Sequence, residues 1–386
     1  MALLYLLSEM ARQDGSVLHV ATVDHGLRPE ARDEALQVGK HAEALGHSHD
    51  ILTWRDPAAE GNLQGEARAA RYRLLAEWSR ARGAASVAVG HTADDQAETV
   101  LMRLRRASGV EGLAAMAVRH RRDGMEILRP MLGLRRATLR AYLEARGVDW
   151  CEDPSNRDTR FERIRMREAM ASLAPLGLTV EALATVAENM QVANAALATV
   201  TAQAAASLGE VRLGAVRLAR EGFGQLQDEI ARRLLIAALR HVTEAVYAPR
   251  RDALADALRE IKAGRGVTLH GCQILLKSKA IWIVREYSAL RDQQMTDPEG
   301  EVVWDSSWRL TLAAQKGVTL RALGADGLRH LENWRDLAVP REVLLPLPSL
   351  WCGGKLLLVP PLLTADPEQC AAIRTPDGWA SGALSD

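Results

Sequence analysis

The chain has 386 residues, 48% hydrophobic and 25% charged, with 49 Lys and Arg against 49 Asp and Glu. That length calls for two or three domains, and the apolar share is enough for a large core. The composition excludes general disorder, and the even balance excludes a uniformly basic nucleic-acid binder. The zero net charge hides a skew: between Leu101 and Met170 lie 16 Arg, no Lys and 10 acidic residues, a local net of +6. Basic charge concentrated in this way is what phosphate contact requires, although a solvated Arg-rich face reads identically. The four cysteines, Cys151, Cys272, Cys352 and Cys370, stand far apart with no CxxC pair, which speaks against a zinc knuckle, an iron–sulfur centre and a disulfide scaffold.

The opening MALLYLL is apolar, but it has no basic leader and Ser8-Glu9 interrupts it, unlike a secretory signal. No apolar stretch reaches the roughly 20 residues of a membrane span, so a cytoplasmic protein is expected, with no membrane partner. Met1 to Arg12 reads as a helix through Leu3, Leu4, Leu6 and Leu7. SVLHVATVD is a strand ending at Asp24-His25-Gly26, and Pro29 to Leu45 a helix with Gly46 as its C-terminal stop. HSHDILTW is a second strand. EARAARYRLLAEWSRARG is a helix to Gly83, ASVAVG a short buried strand, and HTADDQAETVLMRLRR a helix following at once. Alternating strands and helices imply a Rossmann-like parallel sheet, whose ligands sit outside the strand C-terminal ends. Asp24-His25 and Gly90-His91 both fall there.

A further helix begins near Gly133, and CEDPSNRDTRFERIRMRE is a polar loop running into a basic helix. Val180 to Lys262 is Ala-, Leu- and Arg-rich with helical spacing. VTLHGCQILLKSKAIWIVRE reads as a β-hairpin, and Trp304 to Leu320 and Val343 to Pro360 alternate as strands do. The expected layout is an α/β nucleotide-binding domain over 1–172, a helical domain over 173–262 and a small β or α+β domain over 263–386.

Four clusters carry chemistry. In VGHTADDQAET, Asp95 and Glu98 share a helix face just beyond a strand end, where two carboxylates could hold a Mg²⁺ bridging nucleotide phosphates. Capping explains acids in a first turn equally well, Asp94 especially, but not the set of His91, Asp95, Gln96 and Glu98. In EARAARY, Arg71 and Tyr72 cannot both be buried in one direction, so Arg71 either reaches the sheet crevice or pairs with an acid on the surface. RRASG ends a helix in small residues that let backbone approach a ligand. After EDPSN, Arg160, Arg163 and Arg167 form one helical stripe beside Phe161, suited to an RNA backbone with an exposed base, or else to pairing with Glu162 and Glu168. His47 and His49 face one side of a strand with no acid or Cys spaced as a third metal ligand. A GxSxG elbow, a GxxxxGK[ST] loop and a zinc-deaminase signature are all absent from the sequence.

Taken in order, VDHGLRPEA, EARAARY, VGHTADDQAETVLMRLRRASGVEGLAAM, LRPML and WCEDPSN closely resemble the tRNA(Ile)-lysidine synthetase family of PP-loop ATP-pyrophosphatases. The likeness is strong over the first 170 residues and weaker at RALGADGL and LPSLWCGGKLLLVP. It implies a ligase that uses ATP and Mg²⁺ to adenylate C2 of the wobble cytidine of tRNA(Ile) with a CAU anticodon, free L-lysine then displacing AMP. It implies Asp95 and Glu98 for Mg²⁺ and for the lysine amine, and Arg71 for the activated intermediate. Asp24, His25 and His91 would line the nucleotide pocket, and Arg106, Ser108, Gly109, Arg129, Asn156, Arg163 and Arg165 would contact tRNA.

Three departures qualify the likeness. Ala107 stands where the family has Gly in an RGSG-type turn, which is strained if φ there is positive. Ile164 follows Arg163 directly, where the family often reads Arg-Asn-x-Ile-Arg. The family's SGGxDS loop is not among the 386 residues, and MALLYLL reads as the helix that follows it. An N-terminally incomplete, less stable nucleotide-binding domain is therefore expected. A catalytically inactive tRNA-binding relative stays open as an alternative. A thiolase would need the missing CxxC pair. The oligomeric state is open, a homodimer included.

Overall fold

The computed structural model describes residues 1–26, 30–54, 63–122, 124–151, 162–245, 247–362 and 370–374. They divide into two compact units, Met1–Asn194 and Ala195–Ser385.

The first unit begins with α1 (Ala2–Asp14), which has no side-chain cap and ends at Gly15 in the left-handed conformation. Then come β1 (His19–Asp24), α2 (Glu30–Ala44), β2 (Ser48–Thr53), α3 (Leu63–Ala81), β3 (Ser86–Ala88), α4 (Ala93–Arg105), the short α5 (Val110–Leu113), β4 (Arg119–Arg122), β5 (Met125–Leu128), α6 (Arg136–Glu144), α7 (Glu162–Leu173) and α8 (Val180–Leu208), which runs past Asn194. The pairings β1·β2 and β3·β5 are parallel, as the strand–helix alternation requires, and β4 adds an antiparallel edge to β5. These strands form two sheets, β1-β2 and β3-β5-β4, and among the described residues no backbone ladder joins them. Side chains make the connection instead: Ala21, Val23 and Leu52 pack on a core of Tyr72, Leu75, Val87, Val89, Met125 and Ile127. Behind α4, Ala93, Ala97 and Val100 meet Val180, Leu183 and Ala187 of α8.

The second unit holds the rest of α8, β6 (Gly209–Arg212), β7 (Ala215–Ala219), α9 (Arg220–Gly224), α10 (Asp228–Thr243), α11 (Arg251–Lys262), β8 (Val267–Leu269), β9 (Cys272–Leu276), β10 (Ala280–Arg285), β11 (Gln294–Thr296), β12 (Gly300–Trp304), β13 (Trp308–Leu312), β14 (Val318–Ala322), α12 (Gly324–Leu328), α13 (Arg341–Leu344), β15 (Pro348–Cys352), β16 (Lys355–Leu358) and β17 (Cys370–Arg374). The middle of the chain is helical, with one interruption that the Ala- and Leu-rich spacing conceals. Leu213 and Gly214, both at positive φ, form a two-residue turn between β6 and β7, the geometry that matches the twist of a hairpin. That hairpin joins β8, β9 and β10 in a five-stranded antiparallel sheet, so the stretch read as one hairpin supplies three strands. Leu234, Leu235, Ala238 and Leu239 of α10 are fully buried against this sheet. The C-terminal strands form antiparallel sheets β11-β14-β15-β16 and β12-β13-β17.

Candidate active site

Polar residues just beyond the ends of β1, β3 and β5, together with side chains of α3, α4, α6 and α7, lie close enough to act on one another's charges. Asp24, 7% exposed, closes β1 and accepts the Gly26 N–H at 2.9 Å. His25 follows it, its ring edge-on to Trp54 with centroids 6.2 Å apart. Burial and then the Arg71 guanidinium hold its pKa below the ordinary range, against the pull of Asp24. His91, beyond β3, is pushed down to about 4 by burial first, then by Arg129, Arg163 and Arg71 against Asp95. Both imidazoles are therefore neutral at pH 7. Arg71 acts on both histidines from α3; part of its side chain reaches solvent, yet burial first and then Arg68 hold its pKa below the ordinary value, while its neighbour Tyr72 is buried. The two residues thus divide as the sequence requires. The Tyr72 ring carries the guanidinium groups of Arg68 and Arg122, 5.3 and 4.4 Å from its centroid.

Arg129 is 6% exposed. Its backbone N–H goes to Val118 O at 2.8 Å and its terminal nitrogen to Ala117 O at 2.8 Å. Three buried nitrogens at these strand ends, His25 Nδ1, His91 Nδ1 and Arg129 Nε, find no partner among the described residues. Buried polar atoms left so are costly, and groups of this kind suit a polyanionic nucleotide with ring acceptors.

The acidic motif shows three distinct arrangements. Asp94 accepts the Arg136 N–H at 2.7 Å, satisfying an orphan donor at the start of α6. Asp95 and Thr92 form a reciprocal capping box on α4. Asp95 Oδ2 accepts from the Thr92 N–H and O–H at 2.7 Å each, while Oδ1 accepts from Arg136 and Arg163 at 3.0 Å each. Burial acts upward on its pKa, but Arg163, Thr92 and Arg136 outweigh that and hold the carboxyl below its ordinary value. Glu98, 2% exposed, accepts Arg163 Nε at 2.6 Å on one oxygen and Arg167 Nε at 2.8 Å on the other, with Arg136 at 3.6 Å. The arginine stripe of α7 thus turns inward onto this pair.

Gln96, 4% exposed, explains the motif's fourth polar residue. Its amide gives Nε2–H to Met116 O at 2.8 Å and takes Met116 N–H at 3.0 Å. Gln191 of α8 donates to Ala114 O and Met116 O, each at 2.9 Å. Together with Arg129 these two amides pin the 114–118 segment beside the strand ends.

The remaining expected residues are dispersed. Arg106 is exposed and pairs with Glu162 at 2.6 Å, as Arg105 does at 2.7 Å, tying the end of α4 to the start of α7. Ser108 and Gly109 lie in the turn before α5. Arg165 is exposed, on the opposite side of α7 from Arg163, and Asn156 lies outside the described residues. Ala107 does sit at positive φ, 50°. His47 and His49 are satisfied by hydroxyls, Ser8 at 2.8 Å and Thr22 at 2.9 Å.

A PP-loop domain model matches residues 1–174. Three tRNA(Ile)-lysidine synthases are similar over longer spans. The relative from Ruegeria pomeroyi is 45% identical over 93% of this chain and 85% of its own length. The one from Bradyrhizobium sp. is 41% identical over 73% and 86%, and that from Wolbachia pipientis 32% over 93% and 85%. The chain belongs to the tRNA(Ile)-lysidine synthase family. Among solved structures, a U34-tRNA thiolase from Methanococcus maripaludis aligns over 49% of this chain and 67% of its own, at 18% identity and a TM-score of 0.43.

Family membership brings ATP with it, and the unpartnered nitrogens fit that nucleotide. The acidic pair, in the arrangement described, does not fit Mg²⁺. All four oxygens of Asp95 and Glu98 are already taken by guanidinium or capping donors, and no group of three metal-ligating side chains exists among the described residues. The sequence did not single out Arg136, or Gln191. Arg136 lies one helix away from the acids it neutralises, and its only signal is position in the basic 101–170 stretch. Among the described residues no single helix is long and apolar enough to cross a membrane.

Proposed function

We propose that this chain ligates free L-lysine to C2 of the wobble cytidine of tRNA(Ile) with a CAU anticodon, consuming ATP. The observation that carries the reading is 45% identity to a tRNA(Ile)-lysidine synthase over 93% of the chain. The cation-rich strand ends support it.

The chemistry needs two displacements. The C2 oxygen of cytidine attacks the α-phosphorus of ATP and pyrophosphate leaves. The lysine amine then attacks C2 and AMP leaves with that oxygen, a far better leaving group than oxide. Arg129 and Arg71 stand where they can offset the charge on the transferring phosphoryl group. His91, neutral at pH 7, offers hydrogen bonds without adding charge. The lysine side chain must arrive as an amine, and Asp95 and Glu98 are the carboxylates within the site able to orient it and receive its proton. In the ion-paired arrangement they are blocked, so Arg163 and Arg167 must withdraw before the amine docks.

The test is ATP-dependent incorporation of labelled lysine into tRNA bearing a CAU anticodon by this exact chain, with a CAU-lacking tRNA as control. Incorporation confined to the first tRNA is expected. Binding of the tRNA without any incorporation would overturn the ligase and leave a tRNA-binding protein.

A further inference from the structure

β4 is unlike the other strands of its unit. Its four residues, Arg119, His120, Arg121 and Arg122, are all basic in type, and it forms the outer edge of the β3-β5-β4 sheet. The strand's two faces differ. Arg122 turns onto Tyr72 of α3, on the side shared with His120, whereas Arg119 and Arg121 are exposed on the opposite side. Among the described residues one acid, Glu126, faces these two, 3.6 Å from Arg119 in a pair whose side chains are 74% and 36% exposed, too open to neutralise much. Alternate residues of a strand stand about 6.6 Å apart, so the two guanidinium groups form a short row along the edge.

That row starts at the site. Val118, 55% exposed, receives the backbone N–H of Arg129, and Arg119 is the next residue. Charged edges commonly serve only to block sheet-to-sheet association, but that purpose is served by either sign, and lysine or glutamate would do as well. A single-signed edge leading out of a site that handles a nucleotide of an RNA fits the RNA's own backbone, which is continuous with that nucleotide and uniformly anionic.

We propose that the β4 edge, through Arg119 and Arg121, binds the sugar–phosphate backbone of the substrate tRNA as it leaves the active site. This rests on the tRNA-ligase reading above. The contact positions the RNA and reads no base, so it contributes affinity and salt dependence rather than sequence choice.

The test compares full-length wild type with R121Q, R119Q/R121Q and R119K/R121K in filter binding of CAU-anticodon tRNA across a salt series. The double Gln variant is expected to bind about 10-fold more weakly at low salt, with the slope of log K against log salt reduced by about 1.5. R121Q should fall between it and wild type, and the Lys variant should stay close to wild type. Lysine incorporation at saturating tRNA should be unchanged. Wild-type binding with unaltered affinity and slope in both Gln variants would overturn the β4 contact alone. Equal weakening in the Lys variant would also overturn it, since charge would not be the cause. Failure of the wild type to bind tRNA would overturn both this inference and the reading beneath it.

Discussion

Glu98 is the residue at which stability and chemistry make competing demands, and replacing it with Gln separates them. The carboxylate is 2% exposed and accepts two charge-assisted hydrogen bonds, from Arg163 at 2.6 Å and Arg167 at 2.8 Å. Gln keeps the shape, but its amide NH₂ presents donors to a guanidinium donor, so Arg167 loses its carboxylate while Arg136 and Arg163 keep Asp95. Bonds of this type contribute about 1.5–3 kcal/mol each, so the two set a ceiling of about 6 kcal/mol. The guanidinium groups of Arg136, Arg163 and Arg167 are 30–35% exposed, so water takes up much of the loss, and about 2 kcal/mol is expected. R167Q removes one bond and should cost about 1 kcal/mol. E98Q/R167Q should cost little more than E98Q alone, because both changes break the same contact. A chain of two compact units is not expected to unfold in one step. The measurement is therefore urea denaturation of the full chain combined with hydrogen exchange resolved to α4 and α7. Lysine incorporation by E98Q should fall by more than 100-fold, beyond anything a 2 kcal/mol loss does to a protein still folded at the assay temperature. Wild-type exchange in E98Q, or fully additive losses in the double variant, would refute the ion-pair hub.

Three further outcomes follow from the same geometry. Gln96→Leu leaves the Met116 N–H without its partner while Met116 O keeps Gln191; a loss of about 2 kcal/mol is expected, read as faster exchange of the Met116 amide, and unchanged exchange would rule out the amide clamp. Ala107 sits at φ 50°, so Ala107→Gly should stabilise by about 0.5–1 kcal/mol; a destabilised variant would show that the turn is not strained. His91 is held neutral, with its pKa near 4 against an ordinary 6.5, so between those values the unfolded chain binds more protons than the folded one. Its contribution is fully present above pH 6.5 and shrinks as pH falls toward 4. His91→Gln should flatten the stability profile in that window, and an identical profile would refute the burial of a neutral imidazole.

The parts of the fold that local pattern dictates were legible in the residues. SVLHVATVD and ASVAVG are strands because β-branched apolar runs end in turn residues. Acids after Gly90 announce a helix start, but the capping box is closed by Thr92 and Asp95, whereas the residues pointed to Asp94 as the capping acid. Ala107 announced its own strain. The β6-β7 hairpin was hidden because Leu213 supplies one of its two positive-φ positions, where Gly or Asn would have advertised a turn. The site was legible in residue type and illegible in partnership. Arg163 and Arg167 lie at the spacing of one helical stripe, and spacing alone cannot say whether a stripe faces solvent or an acid 65 residues away in sequence.

That partnership changes what the acidic motif means. Two carboxylates that receive an amine in the proposed reaction cannot also be left bare in the resting protein, because Glu98 is almost wholly buried and an unpaired buried charge is very costly. The α7 arginines resolve the conflict by pairing with both acids, Arg163 with each and Arg167 with Glu98. They are also groups that phosphate attracts strongly, and they are only two-thirds buried. An approaching RNA backbone therefore competes with Asp95 and Glu98 for the same cations. Each arginine drawn outward would free a carboxylate oxygen for the lysine amine of the proposed reaction. In the proposed reaction, the order of events would then be set by charge, the acids becoming available when a polyanion takes their partners.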